Sequence, residues 1–159
     1  MKKAFMFSMF IVLIVTAFAQ TGMYGIKFGA PVKEMDKQLR GSGFKIKESS
    51  ESSTTYTNST LPSLISLELR DSSSNDSVSG WTIKYDIEKD EKVQTNVLAK
   101  LKELHGEHDV SDDYDCDYIW YFPNDHALYV TVYPTNIELN YTIGNWDDDE
   151  YYYYEDYWW

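Results

Sequence analysis

Cysteine is nearly missing from this chain, with Cys116 the single one in 159 residues. One cysteine cannot close an internal disulfide, so stability has to come from packing. Positive charge is scarce as well. Fourteen lysines and arginines stand against 26 aspartates and glutamates, a formal charge of −12. That balance repels nucleic acid and anionic membrane surfaces, so nucleic acid is not an expected partner. A phosphate-cradling glycine loop is lacking, because Gly41-Ser42-Gly43 is too short and follows a helical segment instead of opening one. No G-x-S-x-G elbow is present to carry a nucleophilic serine.

What is there begins with "MKKAFMFSMFIVLIVTAFAQ". Lys2 and Lys3 form a positive head, an uncharged and mostly apolar stretch runs from Ala4 to Ala19, and Ala17-Phe18-Ala19 offers small residues where a signal peptidase reads. Residues 1–19 are therefore expected to be a signal peptide cleaved before Gln20; an uncleaved membrane anchor is the alternative. No cysteine adjoins that point to accept a lipid. The expectation is an exported protein, periplasmic or secreted, with no stable membrane insertion after cleavage. Losing Lys2 and Lys3 leaves 26 acids against 12 basic residues, or −14. Three glycosylation sequons begin at Asn58, Asn75 and Asn140 and matter only in a host that uses them.

The remaining chain is of single-domain length. In "YGIKFGAPVKEMDKQLRGSGF", Pro31 suits an early helical position, Val32, Met35 and Leu39 recur at helical spacing, and Gly41 and Gly43 end the run. A short amphipathic helix is expected over 31–40, with Ile26 and Phe28 in a short strand or packed lead-in. Thr54 to Thr57 reads as a strand. Ile65, Leu67 and Leu69 alternate with polar residues, as do Trp81, Ile83, Tyr85 and Ile87, predicting two antiparallel strands about the polar run "DSSSNDS". A second helix follows, with Val93, Val97, Leu101 and Leu104 on its stripe and Gly106 at its end. Strands are then expected at Tyr118–Phe122, Leu128–Tyr133 and Ile137–Ile143, punctuated by Pro123-Asn124-Asp125 and Pro134-Thr135-Asn136.

These signals give an α+β domain over 25–146: an antiparallel sheet with two amphipathic helices on one face. Its order, helix then strands, is expected twice, over about 25–88 and 89–146. Along Leu128–Tyr133, Leu128, Val130 and Val132 face one way and Tyr129, Thr131 and Tyr133 the other. The opening "YGIKFGAPVKEMDKQL…GF" resembles small exported bacterial proteins of uncharacterised function. The architecture is similar to the beta-lactamase-inhibitory-protein-like fold and its outer-membrane assembly lipoprotein relatives. This resemblance implies a binding or inhibitory module. The chain departs from it by lacking the lipid-bearing cysteine and the paired cysteines, so it brings no specific activity and no catalytic residue.

Candidate chemistry is thin. His105 and His108 flank Gly106 and do not match a zinc motif, which needs three or four converging ligands. Asp115 and Asp117 beside Cys116 disfavour its thiolate. No cofactor is expected. The acids of Asp109 to Asp117 could supply oxygens to a weakly bound calcium ion, yet the glycine and glutamate spacing of an EF-hand loop is missing. A hydrolase with an unrecognised carboxylate pair stays open as an alternative, because 26 acids always offer pairs.

Aromatics are the remaining resource. Tyrosine and tryptophan bury large area and keep a polar handle, which suits protein or glycan contacts. Trp81 and Trp120 are expected in the core. Tyr129, Tyr133 and Trp146 are candidate binding residues, together with Tyr151, Tyr152, Tyr153, Tyr154, Tyr157, Trp158 and Trp159 of the tail. That tail, 147–159, holds six acids, five tyrosines and two tryptophans and nothing else. The expected function is a non-catalytic module that binds a protein or glycan. A structural envelope component is its rival.

Overall fold

A computed structural model describes residues 21–72, 76–109 and 116–143. After a 3₁₀ turn at Met23–Gly25 come α1 (Val32–Gly41), β1 (Lys45–Ser49), β2 (Ser53–Thr57), β3 (Leu64–Ser72) and β4 (Ser77–Asp86). They are followed by α2 (Lys92–His105), β5 (Tyr118–Phe122), β6 (His126–Val132) and β7 (Asn136–Ile143). The strands form one seven-stranded sheet in the order β1-β2-β3-β4-β7-β6-β5. Every pairing is antiparallel. The fold class is α+β.

Strand register explains the core. Tyr56 lies opposite Leu67, Leu67 opposite Ile83, and Leu69 opposite Trp81. Trp81 in turn faces Tyr141, Ile83 faces Leu139 and Tyr85 faces Ile137. Leu128 and Val130 continue the row into β6, and Trp120 into β5. Because side chains alternate across a strand, these residues share one face of the sheet. All are buried in one cluster, which also takes Met35 and Leu39 of α1 and Val93, Val97 and Leu101 of α2. Each such aliphatic side chain stabilises the fold by about 1.5–3 kcal/mol of transfer free energy. Trp81 and Trp120 are core residues, and Trp81 stacks on Tyr141 with centroids 4.4 Å apart.

Ile65 does not point inward as its alternation implied. A bulge between Leu64 and Ser66 inserts Ile65 as an extra residue, so Leu64 takes the core position opposite Tyr85 and Ile65 is exposed. Leu104 also leaves the helical stripe. The buried positions Val93, Val97 and Leu101 recur every four residues, and the next in that series is His105. β1 carried no sequence signal: it is an edge strand, exposed along its whole length.

The lead-in to α1 is packed. Ile26 and Phe28 are buried, Gly29 N–H donates to Val78 O at 2.9 Å, and Val78 N–H donates to Ala30 O at 2.9 Å. Among the described residues no helix is long and apolar enough to cross a membrane. The segments read as signal peptide and tail lie outside the described residues.

Candidate functional site

The sheet face turned away from the core carries the polar half of the alternation: Glu68 and Arg70 on β3, Thr82 and Lys84 on β4, Glu138 and Asn140 on β7. Arg70 reaches across three strands. Its Nη1 donates to Thr82 Oγ1 at 2.7 Å, and its Nη2 donates to Asn140 Oδ1 and to Tyr141 O, both at 2.8 Å. A planar, forked donor suits this set of acceptors where a lysine ammonium would not. Burial lowers the Arg70 pKa, while Glu68 and Glu138 raise it. Gly80 leaves the space Arg70 uses, since a β-carbon there would lie 2.8 Å from Nη2 and 2.6 Å from Tyr141 O. Lys84 Nζ pairs with Glu138 Oε2 at 2.8 Å, and that hydrogen bond is the main cause raising the lysine pKa.

Toward β5 the same face becomes apolar. Ile119, Ala127 and Tyr129 form a second small cluster with Cys116 against it. Tyr129 is thus buried, with 9% of its surface exposed. Tyr133, just beyond β6, is 45% exposed, and its phenol acts electrostatically on Lys84. Tyr121, which the sequence did not single out, is 52% exposed and sits opposite Ala127 on this face. Of the candidate binding residues, Tyr129 lies within β6 and is buried, whereas Tyr133 follows that strand and is exposed. Trp146, Tyr151, Tyr152, Tyr153, Tyr154, Tyr157, Trp158 and Trp159 lie outside the described residues.

Of the acidic segment, only Asp109, Cys116 and Asp117 are described. Asp109 N–H donates to Ile119 O at 2.8 Å, and Asp117 Oδ2 accepts Val132 N–H at 2.6 Å. Among the described residues no group of three or more His, Cys, Asp or Glu side chains is placed to hold a metal ion. His105 and His108 serve different neighbours. His108 meets the rings of Tyr118 and Trp120 edge-on, whereas His105 Nε2 lies 3.0 Å from the Tyr141 hydroxyl.

Two sequons have structural duties. Asn58 is 5% exposed; its Nδ2 donates to Ser42 O at 3.2 Å, and its Oδ1 accepts Thr60 N–H at 3.0 Å and the Thr60 hydroxyl at 2.7 Å. Asn140 holds Arg70. The nitrogen a glycan would need at Asn58 is already engaged in the folded protein.

A second concentration of side chains lies where the lead-in crosses the core. Tyr24 and Tyr85 share a hydroxyl hydrogen bond of 2.7 Å, Phe28 stacks on His126 with centroids 4.0 Å apart, and Met23 N–H donates to the Tyr141 hydroxyl at 3.4 Å. Burial raises the pKa of Tyr85 and Tyr141 and lowers that of His105 and His126. Sequence reasoning missed this group; the four-residue series ending at His105 was the available signal. No family model, curated protein or solved structure matches the chain.

Proposed function

We propose that this chain is an exported, non-catalytic module that binds a protein or glycan through the sheet face away from the core. The observation that carries this reading is the pairing on that face of fixed polar groups with open aromatics. Arg70, Thr82, Asn140, Lys84 and Glu138 are held by one another, while Tyr121 and Tyr133 are exposed. Rigid hydrogen-bonding groups beside exposed tyrosines suit recognition, because little side-chain entropy is lost on binding. The resemblance to the beta-lactamase-inhibitory-protein-like fold implies a role of the same kind.

In this reading both helices cover the opposite face, which leaves the polar one open. Its support is that Met35, Leu39, Val93, Val97 and Leu101 share one buried cluster with the core-facing strand residues. The order of helix then strands is read as one architectural unit used twice. Export rests on the N-terminal pattern of Lys2, Lys3 and Ala17-Phe18-Ala19.

The test uses the mature protein against a glycan array and against envelope and secreted proteins of its source cell. Tyr121→Ala with Tyr133→Ala is expected to lose about tenfold or more of any captured signal at unchanged melting temperature. Capture indifferent to both substitutions overturns the assignment of this face.

A further inference from the structure

The Tyr141 hydroxyl joins two segments distant in sequence. It is fully buried, accepts Met23 N–H at 3.4 Å, and lies 3.0 Å from His105 Nε2 at the end of α2. The Met23 amide can only donate, so the hydroxyl's own hydrogen is left to point at Nε2. His105 therefore acts as acceptor, in the neutral tautomer protonated at Nδ1. No other partner of this hydroxyl is present among the described residues.

We propose that residues 21–25 form an acid-released latch, held closed by neutral His105 through Tyr141 and opened when that imidazole takes a proton. A proton on Nε2 turns the acceptor into a donor. The hydrogen of Tyr141 then has no acceptor, and a charge sits in a half-buried site. Burial already lowers the His105 pKa. From β7 it faces Tyr141, and from β5 the ring of Phe122 at 5.0 Å; neither is an acid. Its charged chain neighbours Lys102 and Glu107 pair with each other at 2.6 Å.

His126 differs. Burial lowers its pKa as well, with Asp125 opposing, but its ring stacks on Phe28, outside residues 21–25. The acid-sensitive link to residues 21–25 therefore runs through His105. The opening segment is short because Gly29 and Ala30 stay bonded to Val78. Gly25 and Gly29, both left-handed at φ 73° and 71°, bracket the hinge. Gly22 lies against Trp81 and Tyr141 with no room for a β-carbon, so release uncovers those two rings.

The test is amide hydrogen exchange by NMR, as protection factors, at about pH 7.5 and about pH 5. Gly22, Met23 and Gly25 are expected to lose about tenfold or more of their protection at the lower pH, with a smaller loss in the β3 and β4 amides. His105→Gln keeps an acceptor that does not titrate and is expected to abolish this loss. Tyr141→Phe removes the linking hydroxyl and should abolish it too, whereas His126→Phe keeps the stack and the loss. Equal protection at both pH values in the unmodified protein overturns the latch. So does an undiminished loss in His105→Gln or Tyr141→Phe, or an equal loss in the strand amides.

Discussion

Gly80 and Arg70 occupy one space: the guanidinium of Arg70 lies where the side chain of any other residue at position 80 would begin, 2.8 Å from that β-carbon. The backbone carbonyl of Tyr141 closes the other side at 2.6 Å. Gly80→Ala therefore has to displace a strand or expel the arginine. A loss of about 1–3 kcal/mol in urea unfolding is expected, with a broken hydrogen-bond row between β4 and β7 visible in amide exchange.

Arg70 itself fixes three acceptors on two neighbouring strands. Arg70→Lys keeps the charge and loses the fork. Urea unfolding should show a loss of about 1–2 kcal/mol. Retained stability would mean that charge alone holds this face.

Asn58 ties the end of β2 to the turn after α1 through Ser42. Asn58→Ala leaves the Ser42 carbonyl and Thr60 N–H without this partner, and about 1–3 kcal/mol of stability should disappear. Expressed in a glycosylating host, the folded protein is expected to carry no glycan at Asn58, which mass mapping of that peptide checks.

Acid should weaken the fold before the carboxylates titrate. His105 and His126 both have folded pKa values below their ordinary ones, because burial disfavours the charged form. The unfolded chain then binds more protons below about pH 6.5, so stability is full above that value and falls as pH drops through it. The urea midpoint is expected to be lower at about pH 5 than at about pH 7.5. His105→Gln should reduce that difference, leaving the part due to His126.

The sequence exposed most of the fold because most elements bury a regular stripe. Val93, Val97 and Leu101 announced α2, and the alternation of Trp81, Ile83 and Tyr85 announced β4. Where the stripe is broken or absent, the signal fails. β1 is exposed on both sides and offers no alternation, and the bulge at Ile65 shifts β3 by one residue. The site was less legible. Tyr129 and Tyr133 look alike in sequence, yet Ile119 and Ala127 cover the first and not the second. His105 gained its role from Tyr141, 36 residues further along the chain, a pairing no local pattern encodes.

The central claim is that the polar sheet face is where a partner sits. A photo-reactive residue placed singly at Tyr121, Tyr133, Lys37 or Thr95 and irradiated in the intact source cell tests it most directly. The account predicts discrete cross-linked adducts from Tyr121 and Tyr133, and none from Lys37 on α1 or Thr95 on α2. Adducts from the helix positions, with none from the two tyrosines, would contradict it.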